Sequence, residues 1–133
     1  MQSIDIKSCD DATTLTFTLL SSDSEQIAFS AQISGAPFVG QVDSSTYFCG
    51  PPTLLFQEMA RDWRGWSGTK EWRALDGELS IVASSDSLGH VTLITEMSYQ
   101  SRNFTLSAKL ILEAGQLDQV LRAVNSIMPL DGC

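Results

Sequence analysis

One histidine and two acidic side chains before it in the chain are the residues of this sequence best suited to acid–base chemistry. His90 is the only histidine, and Asp86 and Glu78 precede it in the same part of the chain. A histidine changes its charge near neutral pH, and a neighbouring carboxylate can orient it as a general base. Asp86 and Glu78 would join His90 in one cluster if the strand ends that carry them converge. A hydrogen-bonded turn histidine after Gly89 is the alternative, and it is the more frequent use of such a residue.

Other common elements of catalytic and cofactor sites do not occur in the sequence. No serine or cysteine lies near His90 in an elbow-type motif, and no phosphate-binding glycine loop is present. Cys9, Cys49 and Cys133 are widely spaced and include no Cys-x-x-Cys pair. We therefore expect reduced thiols, no metal site and no cofactor, which favours a protein that is not an enzyme.

All three tryptophans lie within residues 61–73, which we call the tryptophan segment. Trp63, Arg64, Trp66, Lys70 and Trp72 combine large rigid rings with cationic groups, a combination typical of protein-binding hot spots. In the structural alternative, Trp63 is the last core contact of a helix and Trp66 closes the end of that helix. Trp72 would then pack where the chain returns to the sheet. Because a loop position favours exposure, Trp66 and Arg64 are predicted to be the most accessible pair.

The period of the apolar residues predicts the secondary structure. A period of two predicts strands at about residues 4–6, 15–19, 27–33, 38–42, 79–83, 91–97 and 104–112. A helical period after Gly50 predicts a helix from about Pro52 to Arg64, with Gly65 just past its end. Helical spacing from Leu117 to Met128 predicts a second helix.

The two halves of the chain share several features. The serine-rich turn at residues 21–24 recurs at residues 84–87, and Phe38 and Phe104 each open the strand that precedes a helix. We therefore predict one α+β domain, residues 1–133, with βββα halves at residues 13–66 and 77–129. Both helices would pack on one face of a mainly antiparallel sheet of about six or seven strands. A chance match of serine-rich turns is the alternative to a repeat.

The composition indicates a folded, acidic protein. A chain of 133 residues with 43% apolar residues can bury a core without disulfides. The net charge of −8 repels nucleic acid and lipid phosphates. No leader with basic and apolar parts opens the sequence, and no apolar run has membrane-spanning length. We therefore expect a cytoplasmic protein that binds neither nucleic acid nor membranes.

Four spaced motifs follow one another in the second half of the chain. They are Trp63-x-Gly65-Trp66-x-Gly68-x-Lys70-x-Trp72, Gly77-Glu78-Leu79, Leu88-Gly89-His90-Val91 and Leu112-Glu113-Ala114-Gly115-Gln116-Leu117. The set resembles a small bacterial family that is a domain of unknown function, which the first half matches only in length and pattern. The resemblance implies a bacterial cytosolic protein without an established activity. An immunity-like, toxin-neutralising role is one form that such small proteins take.

These observations favour a non-catalytic protein-interaction module. Its partner would be another protein or a second copy of itself in a homodimer, bound through the tryptophan segment or the open sheet face. The predicted binding residues are Trp63, Arg64, Trp66, Lys70, Trp72, Glu78, Asp86 and His90. The alternative is a small-molecule-binding protein or hydrolase with a cleft near His90 and the tryptophan segment.

Overall fold

The computed structural model describes residues 2–35, 37–99 and 103–130. In this part of the chain, four strands and a helix are followed by four more strands and a second helix. The elements are β1 (Ser3–Lys7), β2 (Thr14–Ser22), β3 (Ile27–Gly35), β4 (Phe38–Ser45), α1 (Thr53–Arg61), β5 (Thr69–Arg73), β6 (Leu79–Ser85), β7 (His90–Tyr99), β8 (Phe104–Glu113) and α2 (Leu117–Ile127). A short 3-10 turn, Ala114–Gln116, joins β8 to α2.

The strands form two antiparallel sheets, in the orders β1-β2-β3-β4 and β5-β6-β7-β8. The α+β class is therefore confirmed, whereas the prediction of one sheet with six or seven strands is wrong. The strand that the prediction lacked is β5, which lies inside the tryptophan segment. Trp72 is its one buried residue, so β5 carries no apolar alternation by which a strand is recognised. The two βββα halves and their boundaries stay a prediction.

One hydrophobic core joins both sheets and both helices. Phe17 of β2 and Phe29 of β3 contact each other edge to face, with ring centroids 5.6 Å apart. Burial of a side chain of this size stabilises the fold by roughly 1.5–3 kcal/mol. The buried helix residues are Thr53, Leu55, Phe56 and Met59 of α1 and Leu117, Val120, Val124 and Ile127 of α2. Both helices are therefore amphipathic, as their spacing predicts.

The two helices link the two halves of the chain. Helix α1 packs on α2 and on β5, and α2 also packs on β1 and β2. The Thr53 hydroxyl donates a hydrogen bond of 2.6 Å to the Met128 carbonyl, which ties the start of α1 to the end of α2. Helix α1 ends at Arg61 and not at Arg64 as predicted. Neither α1 nor α2, the helices of the described residues, is long and apolar enough to cross a membrane.

The sheets approach each other closely at Gly40 of β4. A Cβ atom at this position would lie 2.5 Å from Cδ2 of Leu106 on β8 and 3.4 Å from the sulfur of Met97 on β7. Only a residue without a side chain fits there unless its neighbours move. At a second contact, the Cys9 amide donates a hydrogen bond of 2.7 Å to the Ile111 carbonyl of β8. The two sheets are therefore in contact at β4 and also next to β1, the opposite edge of the first sheet.

Candidate functional site

Trp72 is part of the hydrophobic core. Its side chain is buried, its ring centroid lies 6.1 Å from that of Phe29, and its indole N–H donates a hydrogen bond of 2.9 Å to the Gly50 carbonyl. Burial removes the apolar ring from water, and the hydrogen bond satisfies the indole N–H. The structural interpretation of Trp72 is therefore confirmed, and its ring is not available to a partner.

Trp66 and Lys70 are occupied by contacts within the tryptophan segment. The Lys70 ammonium lies 5.1 Å from the centroid of the Trp66 ring and 2.7 Å from the Asp62 carboxylate. Hydrogen bonds from Lys70 and Arg61 hold the pKa of Asp62 below its usual value. Trp66 is half-buried, and its indole N–H is buried without a hydrogen-bond partner among the described residues. The prediction that Trp66 is among the most accessible residues is therefore wrong.

Trp63 is the exposed tryptophan of the segment. Its side chain is 53% exposed, and the Arg64 guanidinium lies 5.0 Å from its ring centroid. The expectation that Trp63 is the last core contact of α1 is wrong, because the helix ends before it. A cavity of about 280 Å³ lies beside the ring and is lined also by Ala60, Ala114, Gly115, Leu117 and Asp118.

The structure brings together His90 and Asp86 but not Glu78. Nδ1 of His90 lies 3.4 Å from the Asp86 carboxylate, which accepts hydrogen bonds from the amides of Leu88 and His90 at 2.8 and 2.9 Å. These two amides lower the pKa of Asp86. Glu78 precedes β6 and Asp86 follows it, so the extended strand separates them by about 25 Å. His90 and Asp86 therefore form a turn pair without the third member of the predicted cluster.

The tryptophan segment approaches this turn at Gly65. A Cβ atom on Gly65 would lie 3.3 Å from the Ser85 hydroxyl and 3.7 Å from the Asp86 carbonyl, and the backbone of Gly65 has a positive φ of 119°. Such a conformation disfavours any other residue. The backbone next to Arg64 therefore lies against the Ser85–Asp86 turn, while the side chains of Trp63 and Arg64 contact each other.

Glu78 lies at the other end of β6, beside Ser44 of β4. The Ser44 hydroxyl donates a hydrogen bond of 2.5 Å to one oxygen of its carboxylate, and the second oxygen is buried without a partner among the described residues. Burial, and then the charge of Glu78, raise the pKa of the Cys49 thiol. Cys49 and Cys9 are free thiols as predicted, and Cys133 lies outside the described residues.

A concave surface with several exposed apolar side chains lies at the hairpin ends of the two sheets. We call it the sheet-tip groove; it has a volume of about 410 Å³ and is lined by residues 38–42, 97–99 and 103–106. Four of its side chains are strongly exposed, namely Phe38 (70%), Val39 (63%), Tyr99 (61%) and Phe104 (63%). Its floor is continuous with the core, because Val42 and Met97 are buried core residues.

A second pocket, which has two carboxylates in its lining, shares part of this lining. It has a volume of about 320 Å³ and is lined by residues 41–43, 98 and 99 together with Glu78. Asp43 is exposed there. The pocket therefore places two carboxylates at the end of the sheet-tip groove that lies farther along β4.

Two further aromatic residues follow β4 in the chain. Tyr47 and Phe48 contact each other with ring centroids 4.6 Å apart, and Phe48 is exposed. Phe48 adopts a positive φ of 64°, a backbone conformation that is uncommon for any residue other than glycine. Neither residue is among the binding residues predicted from the sequence.

The sheet-tip groove is not among the sites predicted from the sequence. In the sequence, Phe38 and Phe104 are only parallel features of the two halves. The available signal was the position of both residues at a strand start, beside a turn, where a large apolar side chain has few neighbours. That signal does not say that the two strand starts come together, because they are 66 residues apart in the sequence.

The residues that the structure describes hold no group of three or more His, Cys, Asp or Glu side chains arranged for a metal ion. The model of a family of unknown function, DUF6228, matches residues 6–129. The chain belongs to this family. The match covers both halves, so it extends beyond the second half, in which the motifs of the sequence lie. No curated protein and no solved structure matches the chain.

Proposed function

We propose that this protein is a non-catalytic module that binds another protein through the sheet-tip groove. The observation that carries the proposal is the exposure of Phe38, Val39, Tyr99 and Phe104, which are 70%, 63%, 61% and 63% exposed and line one cavity. A monomer rarely leaves large apolar side chains exposed together unless they have a partner. A protein that covered them would remove several aromatic rings from water at once.

The composition of the groove supports a protein partner. Aromatic residues and Met97 line it, and none of the residues that line it carries a charge. The central part of protein interfaces has the same bias, because aromatic and methionine side chains bury large areas at a small cost in solvation. The net charge of −8 favours a basic or neutral partner over an acidic one.

The tryptophan segment is the less suitable of the two candidate binding surfaces. Trp72 is buried and Lys70 is held by Asp62, so these two predicted binding residues serve the fold. Trp63 and Arg64 remain exposed and provide a matched control for an aromatic surface outside the groove. The alternative of a hydrolase near His90 has no comparable support, because Glu78 lies at the far end of β6.

Selection from a phage-displayed library of random peptides tests the proposal. Peptides enriched on the wild-type protein are synthesised with a fluorophore, and their affinity is measured by fluorescence anisotropy. We expect the Phe38→Ser, Phe104→Ser double variant to bind them at least about tenfold more weakly, as loss of hot-spot aromatics does. Trp63→Ser, the control, should bind them with unchanged affinity.

Three outcomes would overturn the proposal. The first is that the folded wild-type protein enriches no peptide, and the second is that the groove variant binds as tightly as the wild type. The third is a stable dimer in light scattering that the groove variant dissociates, which would make a second copy of the chain the occupant. Circular dichroism of each variant confirms that the loss is not one of folding.

A further inference from the structure

Strand β4 forms one wall of the sheet-tip groove and is an edge strand. It is the last strand of its sheet, in the order β1-β2-β3-β4, and it lines the groove with residues 38–42. Among the described residues, its backbone hydrogen bonds are made with β3 on one side. Every second residue of an edge strand directs its amide and carbonyl groups away from the sheet, where they can pair with another strand.

The other three edge strands carry a lysine, and β4 does not. Lys7 lies in β1, Lys70 in β5 and Lys109 in β8, whereas the part of β4 that lines the groove has no charged residue. Charged side chains, lysine above all, are the usual means by which an edge strand is kept from pairing with another chain. Residues 38–42 of β4 therefore lack the charged side chain that protects such an edge, and the one charged residue of this strand, Asp43, lies just beyond them.

The charges beside β4 favour a basic residue in the partner. Asp43 and Glu78 both line the second pocket, at the end of the groove, and Asp43 is exposed there. Neither carboxylate forms an ion pair with a basic side chain in the part of the chain that the structure describes. One oxygen of Glu78 is buried without a hydrogen-bond partner there. An approaching lysine or arginine would meet an uncompensated negative potential.

We propose that the partner supplies an extended strand that pairs with the outer edge of β4 and places a lysine or arginine beside Asp43. The inference rests on the proposed function and specifies its binding mode. Apolar side chains on one face of that strand lie in the sheet-tip groove, next to Phe38 and Phe104. The main-chain hydrogen bonds provide affinity and the groove provides selectivity, as in other cases of strand addition.

Backbone methylation of a selected peptide tests the pairing. Each amide of the peptide is methylated in turn, which removes one N–H donor and leaves every side chain unchanged. In a paired strand only every second N–H faces the partner. We therefore expect affinity to fall at least about tenfold at alternate positions and to change little between them. Hydrogen exchange of the protein should show slower exchange of amides in residues 38–42 when the peptide is bound.

A double-mutant cycle tests the basic residue. Replacing the peptide lysine or arginine by norleucine should weaken binding to the wild-type protein about twofold to fivefold, the range expected of a partly exposed ion pair. The same replacement should have no effect on binding to Asp43→Asn. Asp76→Asn, in the turn between β5 and β6, is the matched control and should retain the full effect.

The outcomes separate this inference from the proposed function. If peptides bind and Phe38→Ser, Phe104→Ser weakens them, but methylation shows no alternation, strand pairing is wrong and the groove still binds proteins. If norleucine has no effect, the preference for a basic residue is wrong. If no peptide binds the wild type, both proposals fail. Protection of residues 38–42 that rises with concentration in the free protein would instead identify a second copy as the paired strand.

Discussion

The tryptophan segment and the sheet-tip groove are both rich in aromatic residues, yet the fold uses them differently. In the segment, Trp72 is buried against Phe29 and Trp66 lies against the Lys70 ammonium. In the groove, Phe38 and Phe104 are 70% and 63% exposed and line the same cavity. The residue types that dominate binding sites are therefore present in both regions, and only one region leaves several of them free.

The difference arises from the neighbours of each region. The tryptophan segment lies between α1 and β6, so both helix and sheet can cover its rings. The groove lies where two hairpins end, and its described lining includes no residue of α1 or α2. A large apolar side chain at the end of a sheet is exposed for that geometric reason, unless another molecule supplies the missing neighbour.

Replacement of Trp72 by alanine is expected to have the largest effect on stability. The change creates a cavity beside Phe29 and leaves the Gly50 carbonyl without its donor, so the free energy of unfolding should fall by about 3–5 kcal/mol. Urea unfolding followed by circular dichroism measures the loss. Trp63→Ala is the control, and a similar loss in both variants would contradict the division between buried and exposed tryptophans.

Replacement of Gly40 by alanine tests the close approach of the sheets beside the groove. The new Cβ would meet Cδ2 of Leu106, and the cost should be about 1 kcal/mol because the end of a leucine side chain can shift. In the Gly40→Ala background, Leu106→Ala should cost less than it does in the wild type, which a double-mutant cycle of unfolding free energies would show. Equal costs would mean that the two positions are not in contact. Gly115→Ala, which meets no atom within 4 Å, is the control.

Acidification is expected to weaken the polar contacts of the tryptophan segment. Lys70 and Arg61 lower the pKa of Asp62 in the folded state. A carboxyl with a depressed pKa stabilises the fold above its unfolded pKa, near about 4, and this contribution disappears as the pH falls through the folded value. Asp62→Asn should therefore lose less stability than the wild type between about pH 5 and pH 2. Parallel stability curves for the two proteins would contradict this role, and Asp76→Asn controls for the loss of a carboxyl elsewhere.

Serine at Phe104 is expected to have the smallest effect on stability. Because the ring is mostly exposed, the free energy of unfolding should change by no more than about 0.5 kcal/mol, as for Trp63→Ser. The two variants should differ in a second measurement, the fluorescence of 8-anilinonaphthalene-1-sulfonate. Loss of dye binding in Phe104→Ser alone would support the groove as the apolar surface. A large loss of stability would mean that Phe104 belongs to the core.

Much of the fold follows from local patterns, and the exceptions have local causes. The alternation of Leu106, Ala108, Leu110 and Leu112 predicts β8, and the helical spacing from Leu117 predicts α2; both are confirmed. Strand β5 carries one apolar residue and charged neighbours, so it has no alternation to detect. The division into two sheets has another cause: among the described residues β4 forms a ladder with β3 alone, and the period of apolar residues does not show which strands pair.

Less of the candidate site than of the fold could be predicted from the sequence. Asp86 and His90 are four residues apart in one turn, and their contact is local. Glu78 is also near in sequence, but an extended strand carries it away from them. The groove depends on Phe38 and Phe104, whose proximity results from the packing of two sheets and from the absence of a side chain at Gly40.

By itself, the sequence determined the fold class, the two helices, most strands and the acidic charge of this protein. These properties depend on the spacing of neighbouring residues and on composition, which a single chain displays directly. Only the tertiary structure decided that Trp72 is buried, that Trp63 is exposed and that Phe38 lies in one groove with Phe104. Periodicity shows which side of a strand faces inward, whereas the depth of burial depends on residues that are distant in the sequence and close in space.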